Sequence, residues 1–298
     1  MLELLNPTVD FVFKRIFGDE RNTDVLVHFL NSIFESAKEP LIESVEILNP
    51  FLDKEALTDK MSVLDIRART TTRTLINIEI QLWNAGDMPK RTLYYWARLY
   101  AGQMEEGDQY RTLQKSITVN ILDFDIMDNE QYHNVFHVHE DTTGQLLTDA
   151  LEIHFLELRK LREEAVGLEQ RLVRWMLFLS ARSRERMGEL AKEEPAMQKA
   201  LTTLEFLSQD DQSRRLYEAR QKALHDYASA IGEATDKGIE KGRNEGRNEG
   251  RKEGLKEGRK EVSLEFARKL LAEGESHERV AHLTGLSLAE IKQLTTTE

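Results

Sequence analysis

The sequence contains no cysteine. That absence removes disulfide scaffolds, cysteine-ligated zinc, iron–sulfur clusters and thiol catalysis together, and leaves carboxylate, imidazole, hydroxyl and amine chemistry. Long apolar runs are missing too: no window approaches the ~18 uncharged residues of a membrane span. The opening stretch MLELLNPTVDFVFK lacks the basic start, apolar run and small-residue cleavage site of a secretory signal, so a soluble, cytoplasmic protein with no membrane partner is expected. An excess of positive charge is absent as well. The formal net charge of −12 argues against a protein that coats nucleic acid non-specifically, because phosphate binding needs basic surface to release counterions. It leaves room for local basic patches and for a metal-dependent nuclease, in which the ion supplies much of the charge facing phosphate. With 5 Pro and 40% apolar residues among 298, the chain is long enough for one large domain or two of ordinary size.

What is present changes period along the chain. The first ~35 residues read as two short helices: Asp10, Phe11, Phe13, Lys14, Ile16 and Phe17 stop at Gly18, and Val25, Leu26, Phe29, Leu30, Ile33 and Phe34 recur at helical spacing. Residues 42–47, 62–69, 74–82, 115–122 and 135–138 are short runs rich in Val, Ile and Thr and predict strands. Between the third and fourth lies a predicted helix over 89–106, with Pro89 suited to a first turn and Gly107 to an end. From about Leu146 the pattern reads as helical, through LTDALEIHFLELRKL, LVRWMLFLSARS, AMQKALTTLEFL and RRLYEARQKALHDYASAI. The implied parts are a core over 1–145, a helical region over 146–236, a glycine-charged stem or linker over 237–261 and a small helical tail over 262–298.

The stem carries glycine at 238, 242, 246, 250, 254 and 258, with charged residues almost everywhere else. Each glycine costs roughly 1 kcal/mol against alanine in a helix. The segment is therefore either a solvated tether or a helix whose glycine stripe admits a second copy, which makes a homodimer through 238–258 the expected assembly. In the tail, a turn at Thr284, Gly285 and Leu286 precedes Ser287, which is placed to cap a last helix; the pattern is that of a helix-turn-helix, open to DNA reading or to protein docking.

The residues that could carry chemistry lie in VLDIRARTTTRTLINIEIQLW. Alternation places Ile76, Ile78, Ile80 and Leu82 on one face and Asn77, Glu79 and Gln81 on the other. In the preceding run Leu64, Ile66 and Ala68 are apolar, which turns Asp65 and Arg67 to the side of Glu79. With a turn over 70–73, paired residue numbers sum to about 142 or 144, and both registers keep Asp65 on that side. Two carboxylates held close need a cation or a shared proton, and hard oxygen ligands suit Mg2+, or Mn2+ or Ca2+. The same pattern also describes polar residues on the solvent face of a half-buried sheet.

An Asp late in one strand, followed after a hairpin by Glu-x-Gln in the next, with a helix before and after, resembles the PD-(D/E)XK restriction-endonuclease-like core. More closely, NPTVDFVFKRIFG, LDIRARTTTRTLINIEIQ, RTLYYWARLYAGQMEEGDQY, ITVNILDF and LTDALEIHFLELRK resemble the Rpn recombination-promoting nucleases, the PD-(D/E)XK nuclease family transposases, over about residues 5 to 260. The resemblance implies an α/β fold, a mixed central sheet flanked by helices, with a C-terminal α-helical extension. It implies a Mg2+-dependent deoxyribonuclease acting on DNA, serving recombination, a mobile element or phage defence. Asp65 and Glu79 then bind the metal, the backbone carbonyl of Ile80 adds a ligand, and Gln81 stands where the wider superfamily has lysine.

Gln81 cannot carry charge, so it would orient water or a phosphate oxygen. The superfamily's proline is absent, Ser62 and Val63 standing before Leu64 and Asp65. Asp10 would be an accessory acid and Lys14 a phosphate contact, unless the two form a surface ion pair. Lys60 could meet phosphate. Arg91, Tyr95 and Arg98 recur at helical spacing, suited to phosphate and base, although Tyr94, Tyr95, Trp96 and Tyr100 read mainly as core. His133, His137 and His139 lack a matching metal-ligand spacing and are read as strand residues. The alternative to an enzyme is a catalytically inactive, oligomeric module that binds DNA or a partner.

Overall fold

A computed structural model describes residues 3–49, 66–161, 167–181 and 183–295. Asp65, Lys60, Ser62, Val63 and Leu64 lie outside the described residues. The chain divides into two compact units, residues 1–227 and 228–298. Among the described residues no helix is long and apolar enough to cross a membrane.

The first unit opens with α1 (Asp10–Phe17) and α2 (Thr23–Ala37), then β1 (Val45–Ile47), β2 (Ile66–Thr70) and β3 (Leu75–Gln81). Next come α3 (Met88–Ala101), β4 (Ser116–Leu122), β5 (His133–His139) and β6 (Leu146–Glu157), followed by α4 (Arg171–Ser180), α5 (Arg184–Ala191), α6 (Pro195–Gln209) and α7 (Asp211–Ala272). The six strands form one mixed sheet in the order β1-β2-β3-β4-β6-β5. β3 pairs in parallel with β4, and β4 with β6, while β1 with β2, β2 with β3, and β5 with β6 are antiparallel. The hairpin forms where expected: the Arg73 N–H donates to the carbonyl of Thr70, and Arg73 takes a φ of 67°. Ile66 pairs with Ile78 and Arg67 with Asn77, the second of the two registers the spacing allows.

One face of the sheet presents Ile66, Ala68, Ile76, Ile78, Ile80, Ile117, Val119 and Ile121 to the helices. Against it Phe17 packs on Phe29 and Trp175 at centroid distances of 5.1 and 5.4 Å, so α1, α2 and α4 share one aromatic core. Burying each such ring contributes roughly 1.5–3 kcal/mol. The opposite face is covered by α3, where Met88 and Trp96 meet Leu122, Leu151, Ile153 and Phe155. A parallel β3-α3-β4 crossover requires a helix on one face of the sheet, and this one roofs the polar edge of β3.

Two expectations are corrected. Residues 146–157, read as helical, form the twelve-residue strand β6, so the sheet extends past residue 145. The helical reading arose because Glu152 and His154 look like a solvated stripe; both are fully buried, satisfied by partners inside the protein, and Leu151, Ile153 and Phe155 alternate with them across the strand. The helix expected over 89–106 is Met88–Ala101, and it ends where the Gly102 N–H donates to the carbonyl of Arg98 rather than at Gly107.

In the second unit the stem residues are helical, part of α7, and a Cβ on any of the six stem glycines would meet nothing within 4 Å. There α8 (His277–Thr284) ends at Gly285, whose φ of 72° favours glycine, and α9 (Leu288–Thr295) follows. The Ser287 N–H and hydroxyl donate to Glu290, whose own N–H donates back to Ser287 Oγ, a reciprocal capping box. Ala267, Val280, Leu286 and Ile291 form the small core of this three-helix tail.

Candidate active site

The polar edge of β3 carries Asn77, Glu79 and Gln81, as alternation requires, but it is roofed rather than solvated. The Glu79 side chain is only 3% exposed, and Arg91 Nε from α3 stands 3.6 Å from Glu79 Oε2. An ion pair at that distance is too long for a hydrogen bond. Arg91 lies 5.2 Å from the ring centroid of Tyr95, so the helical spacing of these two residues does bring them together. Arg91 turns toward the sheet and the acid. Asn77 Oδ1, Gln81 Nε2 and Arg91 Nη2 are buried without a hydrogen-bond partner among the described residues. Orphaned buried polar atoms cost free energy unless a ligand or water meets them, so two on β3 and one on the facing helix α3 mark a place suited to something polar.

Helix α1 reaches the same edge. Asp10 does not pair with Lys14 on the surface; it accepts from Arg220 of α7, with Nε 2.9 Å from each carboxylate oxygen and Nη2 also in contact, both side chains being nearly buried. Lys14 is 4% exposed. A Cβ on Gly18 would lie 2.7 Å from the Lys14 carbonyl and 3.3 Å from Ile66 Cγ1, so this glycine is what allows α1 to end against the start of β2. Arg220 is not among the sequence-derived candidates, because in RRLYEARQKALHDY nothing distinguishes it from its charged neighbours.

A cavity of about 220 Å3 opens at the Gln81 end of β3, lined by Asp10, Ile80, Gln81, Trp83, Arg91, Arg220 and Tyr227 among others. At the Asn77 end a second, of about 420 Å3, is lined by Arg67, Asn77, Tyr95 and Arg98. The acidic strand thus runs between two openings, each with arginine at its wall. Of the helix aromatics, Trp96 is held by a hydrogen bond from Nε1 to the Ser116 carbonyl and stacks on Tyr100, as expected of core, whereas Tyr94 is 58% exposed.

A second acidic cluster lies under the α2 side of the sheet. Ligand atoms of Glu39, His137 and Glu152 fall within 4.8 Å of one another, a convergence from three elements that the histidine spacing could not reveal. Lys115 already bridges the two glutamates, pairing with Glu152 and lying 3.3 Å from Glu39. His154 Nε2 donates to Glu152 at 2.5 Å, and His133 Nε2 lies 2.9 Å from His154 Nδ1. Burial alone would raise the Glu152 pKa, but His154 and Lys115 outweigh it and hold it at about 2.

A mixed sheet with an acid buried beside the central parallel pair, after an antiparallel hairpin and between flanking helices, is the arrangement of a PD-(D/E)XK nuclease. The family model described as PD-(D/E)XK nuclease family transposase matches residues 7–234, well over half of the chain, and the protein belongs to that family. A second model, the C-terminal HTH domain of the Rpn/YhgA-like nuclease family, matches residues 260–296, the capped tail described above. No curated protein and no solved structure matches the chain.

Proposed function

We propose that this nuclease is a metal-dependent DNA endonuclease whose site lies at the Gln81 end of β3. The observation that carries the reading is Glu79: a carboxylate buried beside Arg91, on an edge that also holds orphaned amide atoms and opens to a cavity. Asp65 immediately precedes Ile66, whose ladder partner Ile78 immediately precedes Glu79, which is the basis for taking the two acids as a pair. The donor chemistry fits a hard divalent cation: carboxylates from Asp65 and Glu79, and the carbonyl of Ile80. Mg2+, Mn2+ or Ca2+ held there would polarise a phosphodiester and lower the pKa of a bound water.

The side chains divide the remaining work. Gln81 orients the attacking water through its amide oxygen, which leaves the amide nitrogen free to donate to a second polar group. Asp10 fixes Arg220 at the cavity wall, and Lys14 and Arg91 offset the negative charge that phosphate brings. Lys60 is a further phosphate contact. The helix-turn-helix tail brings DNA to the site, and two chains pair through the stem at 238–258, placing a second site for the opposite strand. Promotion of recombination, in a mobile element or in phage defence, is the biological setting this chemistry suits.

The test is cleavage of supercoiled plasmid by wild type, Asp65→Ala and Glu79→Gln with Mg2+, Mn2+, Ca2+ or EDTA. Metal-dependent nicking by wild type that both variants lose is the expected result. A folded wild-type protein that binds DNA and nicks nothing with any metal would overturn it in favour of a binding module.

A further inference from the structure

The three tryptophans of the chain are placed differently. Trp175 is fully buried in the aromatic core, and Trp96 is hydrogen-bonded and stacked under α3. Trp83, two residues beyond β3, is 43% exposed and lines the cavity at the Gln81 end. Tyr227, at 43% exposure, lines the same cavity from α7. Leaving two large rings half in water at one opening forfeits burial that the rest of the fold secures, and exposed apolar rings grouped this way mark a binding surface.

Three further features narrow the ligand. The cavity, about 220 Å3, falls below the ~300–1,000 Å3 of pockets for drug-sized molecules. Its polar wall offers the Arg220 guanidinium, fixed in orientation by Asp10, and the Gln81 amide, whose nitrogen is buried with no hydrogen-bond partner among the described residues. The amide nitrogen donates to an acceptor on the edge of a ligand, and rings and guanidinium planes stack on flat π-systems. A small planar group with a hydrogen-bonding edge satisfies all of these together.

We propose that this cavity takes one unstacked nucleobase of the DNA strand, so that the preferred substrate has an unpaired or extruded base beside the phosphate to be cut. The proposal rests on the nuclease reading above, because it assigns a base site next to Glu79. A base cannot enter such a cavity while paired in a duplex, and unpairing is easiest where the base is mismatched or already single-stranded.

The experiment uses the full-length protein in EDTA, with duplexes carrying 2-aminopurine either paired or unpaired at one position. Expected are quenched emission for the unpaired probe and a Kd at least about fivefold tighter than for the paired duplex, the factor one stacked base contributes. Trp83→Ala and the cavity-filling Ala223→Trp should abolish both effects, while Trp83→Phe retains them. Equal affinity for the two probes without quenching, or wild-type behaviour in both disruptive variants, would overturn the proposal. Glu79→Gln separates the two ideas. With base signal retained and cleavage lost, both stand; with cleavage unchanged in Glu79→Gln, the active-site assignment falls and the binding result still decides the cavity.

Discussion

Glu79 and Glu152 sit on β3 and β6, the two strands that flank β4, and both are essentially buried, at 2% and 0% exposure. They face opposite sides of the sheet and are surrounded in opposite ways. Glu152 receives a hydrogen bond from His154, an ion pair from Lys115 and a nearby imidazole from His137 at 3.4 Å. Glu79 has Arg91 standing off at 3.6 Å, on a strand edge with orphaned amide atoms and a cavity at either end. Burying an ionised carboxylate costs several kcal/mol unless cations and donors offset it. For Glu152 the fold supplies that offset from within and the result is a closed structural network. Glu79 instead lies on the strand that carries Asn77 and Gln81, whose amide atoms have no hydrogen-bond partner among the described residues and which line the cavities at its two ends, and that is the physical ground for proposing chemistry there.

The contrast breaks most sharply by exchanging each glutamate for its neutral isostere. Under the proposed assignment Glu79→Gln should lower metal-dependent plasmid nicking by about 10^3-fold, the several kcal/mol of transition-state stabilisation that a metal-binding carboxylate supplies. Its thermal stability should fall less than that of Glu152→Gln, because Arg91 stands farther from Glu79 than Lys115 and His154 do from Glu152. Glu152→Gln should do the reverse. It takes the carboxylate away from the buried His154 and leaves Lys115 only Glu39 as an acidic partner among the described residues, and should destabilise the fold by about 3–5 kcal/mol in urea titrations, with nicking by the folded fraction unchanged. Replacing Glu152 and Lys115 together by methionine should recover much of that loss. If both single variants behave alike, the division between the two acids is wrong.

Asp10 sharpens the comparison because it lies between the two kinds. It is paired as Glu152 is, through a two-pronged contact with Arg220, yet it lines the cavity beside Glu79. Asp10→Asn should therefore cost in both currencies: about 1–3 kcal/mol of stability, as expected for a nearly buried charged hydrogen bond, and a reduction in nicking smaller than that of Glu79→Gln. Differential scanning fluorimetry and nicking assays on the same preparation separate the two. An effect on stability alone would make Asp10 a structural anchor for α7.

How much of this was visible beforehand follows from the same physics. The alternation at Asn77, Glu79 and Gln81 was legible because Ile76, Ile78 and Ile80 supply an uninterrupted apolar partner face, and that alternation together with the turn at Arg73 limited the register to two choices. β6 was illegible because partners hidden elsewhere in the fold neutralise Glu152 and His154, so two core residues mimic a solvated helix stripe. Arg220 and Tyr227 were invisible for a different reason: they reach the site from a helix far along the chain, and no local pattern records which charged or aromatic residue of α7 ends up against β3. Alternation and resemblance nominated the acidic strand, and only packing brought Arg220 and Tyr227 to the cavity at its end.

Acid sensitivity gives the finest cut between the two sides of the sheet. Burial and the adjacent His154 push the His133 pKa from 6.5 down to about 3, with Glu152 opposing them. The unfolded chain takes up a proton at this residue below about pH 6.5, the folded chain only near 3. The unfolded state therefore binds more protons across that window, and stability falls as pH drops from about 6.5 toward 3. Glu152 adds its own loss only below its ordinary value of 4.5, since its folded pKa is about 2. Between pH 6.5 and 5 the His133 contribution stands apart from that of Glu152 and should amount to about 1–2 kcal/mol. Urea titrations of wild type and His133→Gln at both pH values measure it: the wild type should lose more stability than the variant on acidification, by that amount. Equal losses would mean that the imidazole is protonated within the fold, and the network around Glu152 would then be open to water rather than closed.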